Sequence, residues 1–479
     1  MDNLATELMM AIAESQVLDI VDVRQLARVN SAWRSALLPH GQLWGRLTHV
    51  MLVDSSILPN LLSRSKLSTL EWDIRLPPHL RSRHGKHGKQ GPLHGACKAL
   101  LTANFARTRS LTLRLDGQTL SKEELNALFN TRNECFEELH IFFPRLKGLP
   151  RVDFRAIAPN LRCLTIQLSQ LKYLVGSALE HVTDVRVVTP PYIDLLASHE
   201  HRLVHLHRVA PRVRSIWLDS PPLDTALPAF TVLRELTVDA RRANSDLFRV
   251  ADLQNFFSVA FDLFTLDLFT LAAPPVEFSL PIPSRVEELS VLRHGGVFNI
   301  ELKTLDYPPR EVHRYVDMHK DVLSGLARSL GNLEHLALDL WLCPATREFV
   351  DRLSFSQLRR LSLVLLPDEV LDAGFDGINL LQDEKLNQTL KFPALRRLTL
   401  TTAPVGLGPR SRPRPQLPPS SRYSVDAGDV LQWITSRELE LNQKFELGID
   451  WRIHVEGKSK IKTLRGLTIF IESIPFFED

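Results

Sequence analysis

One six-residue pattern recurs along most of this chain: an apolar residue, two variable residues, an apolar residue, a variable residue and a last apolar residue. Strong copies are FEELHI from Phe136, LRCLTI from Leu161, VTDVRV from Val182, VRSIWL from Val213, LRELTV from Leu233, LFTLDL from Leu263, VEELSV from Val286, LEHLAL from Leu333, LRRLSL from Leu358, LRRLTL from Leu395 and LRGLTI from Leu464; weaker copies are LSTLEW from Leu67, TRSLTL from Thr108 and SRELEL from Ser436. Most copies follow one another at roughly 20–29 residues, and such a unit buries its apolar face only by stacking on its neighbours. The long interval from Val286 to Leu333 predicts one further, degenerate copy.

Each copy has the alternation of a short strand. Side chains on a strand point alternately to opposite faces, so the fourth and sixth positions share one face and the third and fifth share the other. The fourth and sixth positions are nearly always Leu, Val or Ile, and the third and fifth are often charged or hydroxylated. We therefore expect an inward apolar row and an outward polar row on a parallel sheet, with returning helices or loops behind it.

Two segments between the strands have helical signals. SKEELNALF opens with Ser121 and Glu124, which form a capping-box pattern. DMHKDVLSGLARSL from Asp317 carries Val322, Leu323, Leu326 and Leu330 at helical spacing. Over roughly residues 67–479 the chain resembles leucine-rich repeat proteins. That family places Asn or Cys at the ninth position of each repeat, and no copy has either residue there, so we expect an irregular α/β solenoid of variable curvature.

Residues 1–50 do not follow the repeat and predict a small helical module. TELMMAIAES, DVRQLARV and SAWRSALL read as three short helices, with Asp22 as N-cap of the second and Asn30 or Ser31 as N-cap of the third. The apolar and acidic spacing resembles the F-box. The matching residues are Leu4, Glu7, Leu8, Ile12, Asp22, Val23, Leu26, Val29, Trp33, Leu43 and Trp44, whereas Ala5 replaces the family's Pro and Asn30 its Cys or Ser.

The F-box resemblance implies a partner and a function. The family binds a Skp-type adaptor that bridges to a cullin scaffold, so the chain is expected to be a non-catalytic substrate receptor of a cullin-type (SCF) ubiquitin ligase. The residues expected to bind the adaptor are Leu4, Glu7, Leu8, Ile12, Asp22, Leu26, Val29 and Trp33. Two alternatives remain open: an N-terminal cap that seals the repeats, and a repeat scaffold with no ubiquitin-ligase role.

Composition narrows the classes of partner. The net charge of +3 over 479 residues gives no general reason to expect nucleic acid or a membrane. A less favoured hypothesis is that the chain binds nucleic acid through the basic stretches Arg81–His94 and His199–Arg214. The most apolar stretch, from Phe256, contains Asp262 and Asp267 and is expected to be buried core rather than a membrane span. Four scattered cysteines and the lack of a signal peptide predict a reducing compartment, cytoplasmic or nuclear.

The predicted organisation is a helical module over 1–50 and a repeat domain over 51–479. Two insertions poor in apolar residues, near 80–95 and 405–424, are expected to be loops. Arg412, Pro415 and Pro418 in the second insertion fit a polyproline-ligand pattern, although a plain loop explains them as well.

The sequence has no arrangement that argues for catalysis, a metal or a cofactor. His201 and His205 are four residues apart, but no acidic ligand accompanies them and arginines surround them. Recognition of a protein substrate is expected on the outward face of the strands. The candidates there are Trp217, Trp341, His140, Glu235, His335, Arg360 and Arg397.

Overall fold

A computed structural model describes most of the predicted repeat strands. The described residues are 6–14, 20–51, 58–75, 95–114, 122–142, 153–167, 174, 179–188, 202–219, 230, 232–240, 266–273, 286–294, 297–304, 312–327, 330, 333–353, 355–367, 377–384, 390–402, 423–436, 445–457 and 467–472. Leu4, His201, Ser121 and nearly all of the two predicted insertions lie outside these residues. The chain divides into two compact units, Met1–Val238 with Val259–Phe264, and Asp239–Ser258 with Thr265–Asp479.

The N-terminal segment folds as short helices. They are α1 (Thr6–Glu14), α2 (Ile20–Val29), α3 (Ser31–Leu37) and α4 (Gly41–Gly45). Asn30 is the N-cap of α3, and its side chain accepts a hydrogen bond from the Trp33 amide at 2.9 Å. This confirms one of the two capping residues proposed for that helix. Asp22 is not an N-cap, because α2 begins two residues earlier and Asp22 lies in its first turn.

The first unit contains a ladder of parallel strands joined by helices and turns. The strands are β1 (Arg46–Met51), β2 (Leu70–Arg75), β3 (Thr108–Arg114), β4 (Glu138–Ile141), β5 (Cys163–Gln167), β6 (Asp184–Val188), β7 (Ser215–Leu218) and β8 (Glu235–Asp239). Each strand pairs with the next in chain order, and all these pairs are parallel. The helices are α5 (Leu58–Ser65), α6 (Gly95–Ala103), α7 (Lys122–Phe129), α8 (Phe154–Ile157) and α9 (Arg202–Val209).

The strands of the second unit are also largely parallel, but antiparallel strand pairs interrupt the series. Its strands are β9 (Leu268–Ala272), β10 (Glu288–His294), β11 (Val297–Lys303), β12 (Val312–Met318), β13 (His335–Asp339), β14 (Trp341–Leu342), β15 (Arg360–Leu365), β16 (Ile378–Asn379), β17 (Arg397–Thr402), β18 (Tyr423–Asp426), β19 (Phe445–Asp450), β20 (Ile453–Glu456) and β21 (Leu467–Glu472). Its helices are α10 (Asp321–Leu326), α11 (Pro344–Asp351) and α12 (Ala427–Ser436). The run β10–β13–β15–β17–β19–β21 is parallel throughout.

The predicted alternation is confirmed in β4, β6, β7 and β8, whereas β5, β13 and β17 also bury the fifth position, which was predicted to face outward. In β4, for example, Leu139 and Ile141 are fully buried whereas Glu138 and His140 are partly exposed. The pairing aligns equivalent positions of successive copies, as in Ile216 opposite Leu236. The apolar fourth and sixth positions therefore stack into continuous rows, which is what makes the short strands stable together.

One repeat copy was predicted in the wrong register, and another lies almost entirely outside the described residues. The copy that starts at Leu263 is shifted by three residues, because β9 buries Phe269 and Leu271 and leaves Leu268 half-buried. The copy from Ser436 begins on the last residue of α12, and its remainder lies outside the described residues; the strand of that repeat is β19.

The interval from Val286 to Leu333 holds no simple extra copy. Instead β11 pairs antiparallel with both β10 and β12, and β12 pairs parallel with β9. Two strands with antiparallel pairing, β11 and β12, therefore lie where the spacing predicted one further parallel strand. The predicted helix in this interval is shorter than its pattern, since Asp317 and Met318 belong to β12 and α10 starts at Asp321.

Candidate functional site

Helix α1 has an apolar surface on two faces. Met9 and Ala13 are buried, whereas Leu8 and Ile12 are 53% and 39% exposed. Residues four apart lie on the same side of a helix, so each pair forms its own stripe. The stripe of Met9 and Ala13 packs into the module. The stripe of Leu8 and Ile12 lies on the surface, where a helix of a small globular module normally has polar residues.

The other residues predicted to bind the adaptor range from exposed to buried. Val29, at the end of α2, is 55% exposed. Glu7 is exposed, and Asp22 and Leu26 are half-buried. Trp33 is buried, so it supports the module from within rather than facing a partner directly. Leu4 lies outside the described residues.

Trp44 joins the helical module to the strand ladder. Its side chain is fully buried, and its Nε1 donates a hydrogen bond to the Leu37 carbonyl at 3.0 Å. The guanidinium of Arg64 on α5 lies 4.7 Å from the ring centroid, a cation–π distance. The neighbouring Gly45 is so close to Thr69 that an added Cβ would lie 2.5 Å from its carbonyl oxygen. These contacts place α4 directly against the segment that leads into β2.

The outward third-position row of the first unit alternates between acidic and small side chains. From β2 to β8 the paired residues are Glu71, Ser110, Glu138, Cys163, Asp184, Ser215 and Glu235. Glu71 is the fifth residue of the copy from Leu67, which pairs two residues out of register with the other copies. Every second strand therefore carries a carboxylate, and strands two apart are separated by about 9–10 Å. Arg109 forms ion pairs with Glu137 at 2.9 Å and Glu71 at 3.9 Å. Glu235, one of the predicted candidates, is exposed at the end of this row.

His140 lies in a polar network on the same face. Its Nδ1 is 2.7 Å from the hydroxyl of Thr165, and its Nε2 is 3.7 Å from Glu138. Ser110 donates a hydrogen bond to the Glu138 carboxylate at 3.0 Å. Hydrogen bonding with His140, opposed by burial and helped by the Ser110 hydroxyl, lowers the pKa of Glu138. A carboxylate with a lowered pKa is a weak base, so this geometry suits binding better than activation of Ser110.

Cys163, on the strand next to Glu138, is a poor nucleophile. Burial, together with the charges of Asp184 and Glu138, raises the pKa of its thiol to about 11. The reactive thiolate is therefore scarce at neutral pH.

Trp217 stands on the outward face, as the alternation predicts, but one side of its ring is covered. The Arg186 guanidinium lies 3.6 Å from the centroid of the indole, and Trp217 is half-buried as a result. The pair presents a flat cation–aromatic surface rather than a bare tryptophan.

The second unit brings His335, Arg360 and Arg397 into one row. Each lies opposite the next across β13, β15 and β17. Burial, reinforced by the charges of Arg360 and Arg359, lowers the pKa of His335 to about 4, so His335 is neutral at physiological pH. Arg397 pairs with Glu446 at 3.6 Å. Arg360 is exposed and Arg397 is half-buried, so Arg360 is the more accessible of the two cations in this row.

The fifth-position row of this unit is more buried than its counterpart in the first unit. Ser290, Ala337 and Thr399 are all buried. Trp341 does not extend either row, because β14 leaves the ladder and pairs antiparallel with β16, with Trp341 opposite Asn379. Trp341 is half-buried at that position.

Asn133 is a structural residue that the sequence reasoning missed. Its buried side chain donates to the carbonyls of Phe105 and Thr108 at 2.5 and 2.7 Å and accepts from the Cys135 amide at 2.8 Å. One amide therefore satisfies backbone groups of two successive repeats. Asn133 lies three residues before the copy that starts at Phe136, so the family pattern, which has Asn at the ninth position of a copy, does not include it.

Within the described residues, no group of three or more His, Cys, Asp or Glu side chains is arranged to hold a metal ion. His205 is on α9, where its Nδ1 lies 2.8 Å from Arg208. Of the helices that the structure describes, none combines the length and apolar character needed to cross a bilayer. Comparison of the sequence with known protein families gives no match, and comparison with curated proteins gives none either.

Proposed function

We propose that this chain is a non-catalytic substrate receptor of a cullin-type ubiquitin ligase. In this proposal the N-terminal module is an F-box that docks a Skp-type adaptor, and the following strands form an irregular leucine-rich repeat solenoid that holds a protein substrate. The receptor would contribute proximity and orientation of the substrate to the transfer machinery.

The observation that carries the proposal is the exposed apolar surface of the helical module. Leu8, Ile12 and Val29 are among the most exposed large apolar side chains of the described residues, and all three belong to helices of fewer than a dozen residues. Burying such side chains against a partner contributes about 1.5–3 kcal/mol for each one that becomes fully buried. These three are also positions that match the F-box pattern, so sequence resemblance and exposure agree on the same residues.

The outward face of the strands is the proposed substrate surface. In the first unit it carries a row of carboxylates beside the Arg186–Trp217 stack, which favours a substrate segment with positive charge and a flat apolar side chain. In the second unit Arg360 and Arg397 give the corresponding row cationic positions.

The proposal is tested by binding of the purified chain to a purified Skp-type adaptor. The wild-type chain should bind, and a Leu8→Ser/Ile12→Ser/Val29→Ser variant should lose at least tenfold in affinity while keeping its circular dichroism spectrum. Substitution of Trp33 is unsuitable here, because that side chain is in the core.

Leu67→Ser is the matched control for loss of exposed apolar surface. Leu67 is 95% exposed and lies outside the helical module, so this variant should bind as the wild type does. A folded wild-type chain that fails to bind the adaptor would favour the repeat scaffold without a ubiquitin-ligase role. Equal binding by the triple variant would show that this face is not the docking surface.

A further inference from the structure

A cavity in the second unit lies apart from the outward rows of the strands. Its volume is about 590 Å³, within the range of about 300–1,000 Å³ typical of small-molecule sites. It is bounded by the end of β10, the start of β11, the start of α10 and one side of α11. Arg293 lies near the carboxyl end of β10, which pairs parallel with β13. In open α/β sheets, ligands bind outside the carboxyl ends of parallel strands.

The floor of the cavity is apolar. Phe298, Leu323 and Phe349 line it, and each is almost completely buried. A floor of this kind can cover an aromatic or aliphatic group and remove it from water.

The rim of the cavity is charged, and cations predominate. Arg293, Lys320 and Arg352 line it together with Asp321 and Glu348, so positive groups outnumber negative ones. Asp321 lies 3.0 Å from the His319 ring and Glu348 forms an ion pair with Arg352, so the positive surplus of the rim comes from Arg293 and Lys320 against Asp321. The surplus of positive charge favours an anionic ligand.

The start of α11 adds hydrogen-bond donors to this rim. Cys343 is the N-cap of this eight-residue helix, and its side chain does not cap the amides; Pro344 occupies the first turn. The first N–H groups of a helix have no partner within the helix, and its N-terminus carries a partial positive charge. Cys343, Pro344 and Ala345 all line the cavity, so this end of the helix opens onto it.

We propose that this cavity binds a phosphate monoester carried on an apolar group. The phosphate would lie against Lys320, Arg293 and the amides of α11, and the apolar group would contact the small exposed edges of Phe298 and Phe349. Arginine, lysine and a helix N-terminus are the donors that commonly hold phosphate in proteins. The same group occurs in a small aryl phosphate and in a phosphotyrosine side chain, so the chemistry of the ligand does not decide between a free molecule and a peptide.

Calorimetric titration of the full chain with phenyl phosphate tests the proposal. Phenyl phosphate should bind at least tenfold more tightly than inorganic phosphate or phenol, because only phenyl phosphate satisfies both the rim and the floor. A blocked phosphotyrosine peptide, titrated in parallel, distinguishes the two sources: tighter binding than phenyl phosphate identifies a peptide ligand, and weaker binding identifies a small molecule.

Two variants connect the binding to this cavity. Lys320→Glu should reduce the affinity for phenyl phosphate at least tenfold, and Ala345→Phe should reduce it by filling the space. Lys391→Glu is the control, since Lys391 is exposed, does not line the cavity and makes the same change in net charge. The proposal is overturned if phenyl phosphate binds no better than its two component probes, or if all three variants bind it equally well. Adaptor binding by the N-terminal module is a separate measurement and is unaffected by either result.

Discussion

At the scale of single residues, Trp44 belongs to the core and also joins the helical module to the segment before β2. Its ring is buried, its indole N–H satisfies the last turn of α3, and Arg64 from α5 covers the ring. These contacts fix the helical module to the chain that leads into β2. The hydrogen bond to Leu37 could not be predicted, because it depends on the angle at which α4 leaves α3.

Trp44→Phe removes this hydrogen bond and puts a smaller ring into a fully buried site. We expect the free energy of unfolding to fall by about 1–3 kcal/mol, because the smaller ring leaves a cavity and the Leu37 carbonyl keeps only the His40 amide as donor. Chemical denaturation followed by far-ultraviolet circular dichroism measures the change. Trp451→Phe is the control and should leave the transition in place, since Trp451 is 67% exposed. An unchanged transition in Trp44→Phe would mean that water replaces the donor.

At the scale of elements, the close approach of α4 to the chain before β2 requires glycine. A Cβ at Gly45 would lie 2.5 Å from the Thr69 carbonyl oxygen, and one at Gly41 would lie 2.7 Å from the Ser65 carbonyl oxygen. Backbone oxygens cannot rotate away as the end of a side chain can, so α4 would have to move.

Gly45→Ala should therefore destabilise the chain by about 1–3 kcal/mol, the usual cost of overpacking. The thermal unfolding midpoint measures this loss. Gly428→Ala is the comparison variant, because its added Cβ meets a side chain, the Asp426 carboxylate, and not a backbone oxygen, and Gly428 lies in helix α12. The same carboxylate accepts a hydrogen bond from the Gly428 amide. We expect that variant to lose less stability than Gly45→Ala, because the carboxylate can shift and alanine favours the helix. Equal effects of the two substitutions would contradict the argument from close approach.

The strands were predicted best where only one register of the pattern was possible. In β4, β6, β7 and β8 the apolar residues fit a single alternation, and the structure has it. Around Leu263 the run LFTLDLFTL contains two overlapping copies, and only the packing of Phe269 and Leu271 selects the second. The β11–β12 insertion was missed because antiparallel strands leave no signal in the spacing of the repeats.

At the scale of the whole molecule, three groups that titrate below neutral pH have shifted pKa values, and all three shifts act in the same direction. The pKa values of Glu138 and Asp450 are lowered, the first by its hydrogen bond with His140 and the second by Arg452 and Thr402 despite burial. The pKa of His335 is lowered to about 4, chiefly by burial. In each case the folded chain binds protons less tightly than the unfolded chain, so folding is opposed as the pH falls.

We therefore expect the thermal unfolding midpoint to fall steadily as the pH is lowered. For His335 the loss lies between about pH 6.5, its ordinary pKa, and about pH 4, its pKa in the folded chain. The two carboxylates contribute below their ordinary pKa values. His335→Gln should flatten the profile between pH 6.5 and 4 and leave the steeper fall at lower pH. An identical pH profile for His335→Gln and wild type would contradict the burial of a neutral imidazole at this position.

The sequence by itself determined the repeating strand, which of its side chains are buried, and the helical character of the first residues. These follow from local periodicity, because an apolar row needs only alternation and stacking to be buried. The tertiary structure decided the rest: that Leu8, Ile12 and Val29 lie on the surface while Trp33 is in the core, that Arg186 covers Trp217, that Trp341 leaves the ladder, and that a cavity opens at the start of α11. Each of these depends on which elements meet, and that is set by the free energy of packing distant segments together rather than by the order of residues within any one of them.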